Sequence, residues 1–178
     1  MNITKFTQKS LDAVQNLEKT AYDFGNQEIE QEHLLYCLLH QEDSLILKMV
    51  EKMEIQKEHF LKNLENLLNG RVKVQGGKPY IGQYLNKTLI NAEDEAKAMG
   101  DEYVSVEHLF LAMLKKPNPN IKKLMKEYGI TRDRFLKALE SVRGNQKVTT
   151  DNPEATYDTL EKYGVNLVDR AREQKLDP

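Results

Sequence analysis

Apolar residues recur at helical spacing along most of the chain. Between residues 8 and 24 they are three or four positions apart and would share one face of a helix: Leu11, Val14, Leu17, Ala21 and Phe24. No stretch alternates apolar and polar residues over the length of a strand, so β-strands are not predicted. The pattern therefore predicts an all-α fold.

The same pattern occurs twice along the chain. EHLLYCLL at residues 32–39 returns as EHLFLAML at residues 107–114. The shift that places Glu32 on Glu107, here called the repeat shift, aligns residues 10–68 with 85–143 without a gap and gives 16 identities in 59 positions. A tandem repeat of this length is a strong pattern, but two copies are too few for a solenoid, which needs about three. We therefore expect two copies around a pseudo-dyad with one shared core.

Each copy is predicted to form four helices. The pattern places them at about residues 8–24, 32–39, 44–53 and 56–68, and at about residues 84–99, 107–114, 120–128 and 132–142. Thr7, Ser105 and Thr131 precede helices, where a hydroxyl can cap free backbone N–H groups. Gly25 and Gly100 follow helices, where a left-handed residue is needed.

Glycine and proline mark the expected domain boundaries. Repeat one would span about residues 6–69 and repeat two about residues 84–143, joined by a linker at 70–83 that contains four glycines. Residues 1–144 would form one domain, and the polar residues 145–152 a flexible linker. Residues 153–178 carry an apolar stripe without a partner, so we expect them to begin a further module of a longer protein.

Composition narrows the function classes. The net charge is −2, from 26 basic and 28 acidic residues, and no basic cluster indicates nucleic-acid binding. No apolar run is long enough to span a membrane. Cys37 is the single cysteine, so it has no partner for an intrachain disulfide, and a cytoplasmic location is expected.

The chain carries little that indicates catalysis. His33, Cys37 and His40 share a helix face and could ligate a metal. In the second copy only the first of these three residues is kept, as His108. This favours a buried thiol beside a packed histidine over a metal site. No catalytic triad, metalloprotease motif or phosphate loop is present, so neither catalytic residues nor a metal or cofactor is predicted for this chain.

The repeated Glu-His pair has two interpretations. In the structural interpretation, Glu32 and Glu107 interact favourably with the dipole and free N–H groups at the start of their helices, and His33 and His108 bond between helices. In the functional one, the two carboxylates face outward where the copies meet and hold a basic or amide-bearing ligand. An apolar groove with such a rim would suit an extended or unfolded peptide, unless a neighbouring domain closes it.

The double repeat, the two Glu-His phrases and the tail TYDTLEKYGVNLVDRAREQKLDP together resemble the N-terminal domain of Clp ATPases. The tail is similar to the ClpB type, in which this stretch leads into the first AAA+ module. The resemblance implies a Clp N domain from a heat-shock disaggregase of the cytoplasm. Such a protein is a hexamer driven by ATP and Mg²⁺ and works with a DnaK-type chaperone system.

The resemblance also implies a role for particular residues. The N-terminal domain would have no enzyme activity of its own and would capture unfolded or aggregated polypeptides for threading by the AAA+ ring. The positions that match the family's substrate-binding residues are Thr7, Leu89, Asp101 and Glu107.

Two alternatives stay open. In the ClpC type of unfoldase, the Glu-His glutamates receive phosphoarginine or an adaptor, and Glu32 and Glu107 stand at these positions. Against this, Tyr36 and Cys37 replace the Leu-Gly pair common in that type, and the tail favours ClpB. The other alternative is a structural helical spacer, which would show no saturable binding.

Overall fold

A computed structural model of the chain describes residues 2–154 and Tyr157. Residues 2–143 of this part form a 3₁₀ turn at Ile3–Lys5, two short strands and nine α-helices. The helices are α1 (Gln8–Gln15), α2 (Leu17–Asp23), α3 (Gln31–Leu39), α4 (Leu45–Lys52), α5 (Lys57–Asn69), α6 (Gln83–Ala98), α7 (Val106–Lys115), α8 (Pro119–Glu127) and α9 (Arg132–Arg143). The strands are β1 (Glu28–Ile29) and β2 (Tyr80–Ile81). The predicted all-α fold is confirmed.

The helices follow the sequence repeat. In repeat one α3 begins at Gln31 and α5 at Lys57, and in repeat two α7 begins at Val106 and α9 at Arg132. Both pairs of helix starts are therefore offset by the repeat shift that aligns the two sequences.

The first predicted helix is divided in the structure. The apolar pattern predicts one helix over residues 8–24, but α1 and α2 are separated at Asn16. The Asn16 side chain donates to the carbonyl oxygen of Asp12 at 2.8 Å, a local bond that competes with helix geometry. The corresponding helix of repeat two, α6, is continuous, so the break is particular to repeat one.

Two short backbone pairings correct the prediction that the chain has no strands. β1 and β2 run parallel, with Ile29 opposite Ile81, and an isolated parallel bridge joins Phe6 to Val104. Each pairing involves only one or two residues per segment, which is too short to show the alternation that identifies a strand in sequence.

The two pairings are related by the repeat and cross between its copies. The repeat shift carries Phe6 onto Ile81 and Ile29 onto Val104. The segment before the first helix of each repeat therefore pairs with the segment before the second helix of the other. This exchange is what a pseudo-dyad between the copies requires.

The doubled phrase forms the centre of the molecule. Every residue of α3 except Tyr36 is buried, and residues 106–113 of α7 are buried as well. α6 packs along α7, while α3 contacts α1, α2, α4, α5 and α6, and also α7 and α8. Because the two helices are enclosed on all sides, their sequences are under similar packing constraints.

The residues that follow α9 pack against the domain. Val148 is fully buried, and its carbonyl oxygen accepts from the Glu102 N–H at 2.8 Å. The carbonyl oxygen of Asp151 accepts from the Gln8 N–H at 2.8 Å, at the start of α1. The domain boundaries at about residues 144 and 152 stay a prediction, and residues 158–178, with their apolar stripe, lie outside the described residues.

Candidate functional site

His33 caps the helix in which it lies. Its Nδ1 accepts from the Glu30 N–H at 2.8 Å, and its Nε2 lies 2.9 Å from Oδ1 of Asn26. Burial and the nearby charge of Arg71 lower the pKa of His33 to about 4, so the ring is neutral near pH 7. The histidine thus bonds to the loop that precedes its own helix rather than between helices.

His108 makes the same contacts in repeat two. Its Nδ1 accepts from the Ser105 N–H at 2.8 Å, and its Nε2 lies 2.7 Å from Oδ2 of Asp101. The repeat shift carries Asn26 onto Asp101, so both partners of the histidine are set by the repeat. Both histidines therefore cap the start of their own helix, and this structural role explains why histidine occurs in both Glu-His phrases.

Glu32 is fully buried and does not face outward as its functional interpretation required. Arg71 Nη1 donates to Glu32 Oε2 at 2.7 Å, Asn118 Nδ2 to Oε1 at 2.7 Å and Asn120 Nδ2 to Oε2 at 3.0 Å. Burial raises the pKa of this carboxyl, but Arg71 and the two amides outweigh burial and hold the pKa below its usual value. The Glu32 carboxylate thus ties repeat one to the start of α8.

Glu107 is buried as well and also pairs with an arginine at the end of its own repeat. Arg143 Nη1 donates to Glu107 Oε2 at 3.2 Å, while Nη2 of the same guanidinium binds Asp101. Burial raises the pKa of Asp101, but the bonds from His108, the Val148 N–H and Arg143 lower it below its usual value. Oε1 of Glu107 has no hydrogen-bond partner among the described residues.

Thr7 lies beside this cluster and caps α1, as predicted. Its Oγ1 accepts from the Ser10 N–H at 3.2 Å and donates to Glu154 Oε2 at 2.7 Å. The same carboxylate oxygen accepts from the Val106 N–H, the first of α7, at 3.1 Å. Burial and the charge of Glu107 raise the pKa of Glu154 to about 7.

Leu89 is in the core, with 1% of its surface exposed, so its apolar side chain is not part of an open groove. Its neighbour Ile90 is 47% exposed, and Ile3 is 49% exposed. The Asn2 N–H donates to Glu93 Oε1 at 3.1 Å and holds the N-terminal residues against the outer face of α6. Of these two neighbours in α6, Ile90 is therefore accessible at the surface and Leu89 is not.

The structure brings three of the five candidate residues together. Asp101 and Glu107 share Arg143, and Glu154 links Thr7 to the first N–H of the helix that carries Glu107. Leu89 is buried in α6, and Glu32 occupies the position in repeat one that corresponds to Glu107.

Sequence reasoning missed the partners of these residues. The repeat could not reveal the arginine partners of Glu32 and Glu107, because the repeat shift carries neither Arg71 nor Arg143 onto another arginine. The glutamate that binds Thr7 lies beyond the second copy. The one available indication for the arginines is that one closes α9 and the other follows α5 by two residues. The missed residues are Arg71, Asn118 and Asn120 around Glu32, and Arg143 and Glu154 in the second cluster.

Other kinds of site find no support in the residues that the structure describes. Cys37 Sγ lies 3.2 Å from Thr20 Oγ1, and the ring of His40 stacks on Tyr36 at 3.9 Å. Within residues 2–154 and 157, no three His, Cys, Asp or Glu side chains are grouped to hold a metal ion. In the same residues, no helix is both long and apolar enough to cross a membrane.

The sequence and the fold are those of a known family. The sequence profile of the Clp repeat (R) N-terminal domain matches residues 5–128, and the chain belongs to this family. Clp N-terminal domains are helical binding domains without catalytic activity of their own.

Within the family, the chain is similar to ClpB chaperones. It is 41% identical over 184 residues to "Chaperone protein ClpB" of Nitratidesulfovibrio vulgaris and 38% identical over 183 residues to that of Bacillus anthracis. Both alignments cover 100% of the chain but 21% of each relative, so the chain spans about a fifth of their length.

Solved structures show the same fold. The N-terminal domain of Hsp104 from Candida albicans superposes with a TM-score of 0.71 at 20% identity, over 84% of this chain and 99% of that one. The ClpV N-domain in its complex with VipB peptide superposes with a TM-score of 0.62 at 18% identity, over 78% of this chain and 86% of that one.

Proposed function

We propose that the chain is the substrate-binding N-terminal domain of an ATP-dependent protein disaggregase of the ClpB type. It captures unfolded or aggregated polypeptide for threading by a downstream AAA+ ring. The observation that carries the proposal is the exposure of two aliphatic side chains, Ile3 near the N-terminus and Ile90 on α6, where the neighbouring Asn2 N–H bonds to Glu93 of that helix. Exposed aliphatic side chains bind the apolar residues that unfolded chains expose.

Two findings support this proposal. The relatives with the highest identity quoted above are named as chaperones. A domain of this fold, the ClpV N-domain, binds a peptide in its own complex. Thr7, Asp101 and Glu107 are buried and bound to Glu154 or Arg143, so in this state we expect them to support the domain, and Leu89 to support it from the core.

Titration with unfolded casein, followed by backbone NMR, tests the proposal. We expect amide shifts around Ile3 and Ile90 that saturate, and weaker binding in Ile3→Ser and Ile90→Ser. Tyr22→Ser is the matched control, because Tyr22 is 83% exposed on α2 of the other repeat. Equal casein binding by all four proteins would refute this surface, and absence of saturable binding would favour the structural spacer.

The remaining features of the proposal concern the longer protein. It would be a cytoplasmic hexamer, would bind ATP and Mg²⁺ through AAA+ modules outside this chain, and would work with a DnaK-type system. Disaggregation assays with and without the chain's 178 residues in a longer protein would measure what the domain contributes.

The phosphoarginine or adaptor alternative depends on the same two carboxylates. Glu32 and Glu107 already bind the guanidinium groups of Arg71 and Arg143. A phosphoarginine guanidinium would have to displace these internal ion pairs, so the geometry favours the disaggregase.

A further inference from the structure

In repeat one, a single carboxylate joins the starts of two helices. Glu30 Oε1 accepts from the Gln31 N–H at 2.9 Å in α3 and from the Leu85 N–H at 2.9 Å in α6. Glu30 Oε2 accepts from the Tyr84 N–H at 3.0 Å. A Cβ on Gly82 would lie 2.3 Å from Glu30 Oε2, so glycine leaves the room that this carboxylate occupies.

The corresponding place in repeat two lacks that carboxylate. Three pairs of positions correspond by the repeat shift: Glu30 and Ser105, Gly82 and Thr7, Gln31 and Val106. The serine side chain is shorter than that of glutamate and carries no charge. Glu154 supplies the carboxylate instead: its Oε2 accepts from the Val106 N–H at 3.1 Å and from Thr7 Oγ1 at 2.7 Å. Both carboxylates thus accept from the first N–H of the central helix, Gln31 for Glu30 and Val106 for Glu154, and Glu154 comes from beyond the second copy.

We propose that the junction of α1 and α7 is a carboxyl-binding site, that Glu154 is its ligand within the chain, and that a carboxyl side chain of a bound polypeptide exchanges with Glu154. The exchange rests on the proposed function, whereas the site and its internal ligand do not.

The internal ligand is held less favourably than Glu30. Glu154 is only 5% exposed with its own Oε1 unpartnered, and Oε1 of the buried Glu107 is unpartnered as well. Two carboxylates that are buried close together repel each other. Among the groups that surround them, Arg143 is committed to Glu107 and Asp101, and the buried hydroxyl of Tyr157 has no partner among the described residues.

Protonation of Glu154 removes this repulsion while its Oε2 can still accept both hydrogen bonds. The pKa of about 7 is consistent with a carboxyl group that binds the site better as the neutral acid. The acid is docked more firmly as the pH falls below 7 and is released more readily above it. Release uncovers the Thr7 hydroxyl, the Val106 N–H and Glu107.

Backbone amides test the site in the full chain without any added ligand. We compare wild type with Glu154→Ala and Glu154→Gln, and use the exposed Glu58→Ala as control. In Glu154→Ala the Val106 and Gln8 amides should exchange about tenfold faster or more. In Glu154→Gln the Val106 and Gln8 amides should stay protected from exchange between pH 5.5 and 8.5. In wild type the NMR chemical shift of the Val106 amide should titrate near pH 7. Unchanged Val106 exchange in Glu154→Ala, with the core amide of Leu34 as reference, would overturn the site.

Casein binding tests the exchange. Glu154→Ala should bind unfolded casein about tenfold more tightly than Glu154→Gln at pH 6, and casein with amidated carboxyl groups should lose that gain. Equal affinities for both variants would refute the exchange alone. If casein binds to none of the proteins, the proposed function fails together with the exchange, while the amide measurement still decides the site.

Discussion

Glu32 and Arg71 form an ion pair of 2.7 Å between Oε2 and Nη1, and the carboxylate side chain has no exposed surface. Glu107 and Arg143 repeat the arrangement at 3.2 Å. In both repeats, a first-turn glutamate of the central helix therefore binds an arginine at, or two residues after, the end of the last helix. Such a pair fixes the beginning of the central helix to the end of its own repeat.

Removal of the buried charge should be costly in repeat one. Glu32→Gln leaves the guanidinium of Arg71 with only the half-exposed Glu28, so we expect a loss of about 3 kcal/mol in the free energy of unfolding. Glu28→Gln is the control and should cost less than about 1 kcal/mol, because Glu28 is 43% exposed. Urea denaturation measures both. An unchanged midpoint for Glu32→Gln would assign this carboxylate to ligand binding instead.

A methyl group at Gly82 should disrupt the cap of α6. Its Cβ would meet the Glu30 carboxylate at 2.3 Å, and displacement of Glu30 would free the N–H groups of Tyr84 and Leu85. We expect Gly82→Ala to reduce the free energy of unfolding by about 2 kcal/mol.

Gly77→Ala provides the comparison for Gly82→Ala. Its Cβ would approach Gln27 Nε2 at 2.5 Å, but that is the far end of a flexible side chain, which can move away. We expect a change within about 0.5 kcal/mol. If the two variants unfold at the same urea concentration, the Glu30 carboxylate has no role in capping α6.

His33 makes stability fall in mild acid. Its pKa of about 4 lies below the 6.5 of an unfolded chain, so between these values the unfolded chain binds more protons. The contribution of His33 is complete above pH 6.5 and is lost as the pH falls toward 4, at about 1.4 kcal/mol per pH unit.

The matched variant for this prediction is His33→Gln, because glutamine can accept the same capping bond from the Glu30 N–H without titrating. Between pH 7 and pH 5, wild type should lose more stability to urea than His33→Gln. A His33 ring that titrates above pH 6 in NMR spectra would contradict the assignment.

Phosphoarginine should not bind at the Glu-His glutamates. The two internal arginines occupy the positions that its guanidinium group would take. In backbone NMR titrations, we expect no saturable shifts at the amides of Glu32 and Glu107. Saturable shifts at both would support the ClpC-type alternative, and free arginine serves as the control ligand.

The apolar spacing predicted the helices because helix periodicity is a local property of the sequence. The repeat predicted which helices correspond because the same pattern recurs at a fixed offset. The break at Asn16 was not predictable, since Asn91 has the same place in a continuous helix. The bond between Thr7 and Glu154 joins residues 147 positions apart, and no periodicity relates them. The sequence indicated the candidate positions through family resemblance, but not that their side chains are buried and already engaged.

The crossed pairings of Phe6 with Val104 and of Ile29 with Ile81 have a consequence for the two halves of the domain. Neither half completes its own edge contacts, so a single half expressed alone would have to associate with a second copy of itself. The architecture within this one polypeptide is thus that of two half-length units joined as a homodimer would be. Ser105 in place of Glu30, and Thr7 in place of Gly82, make the two ends of this arrangement unequal.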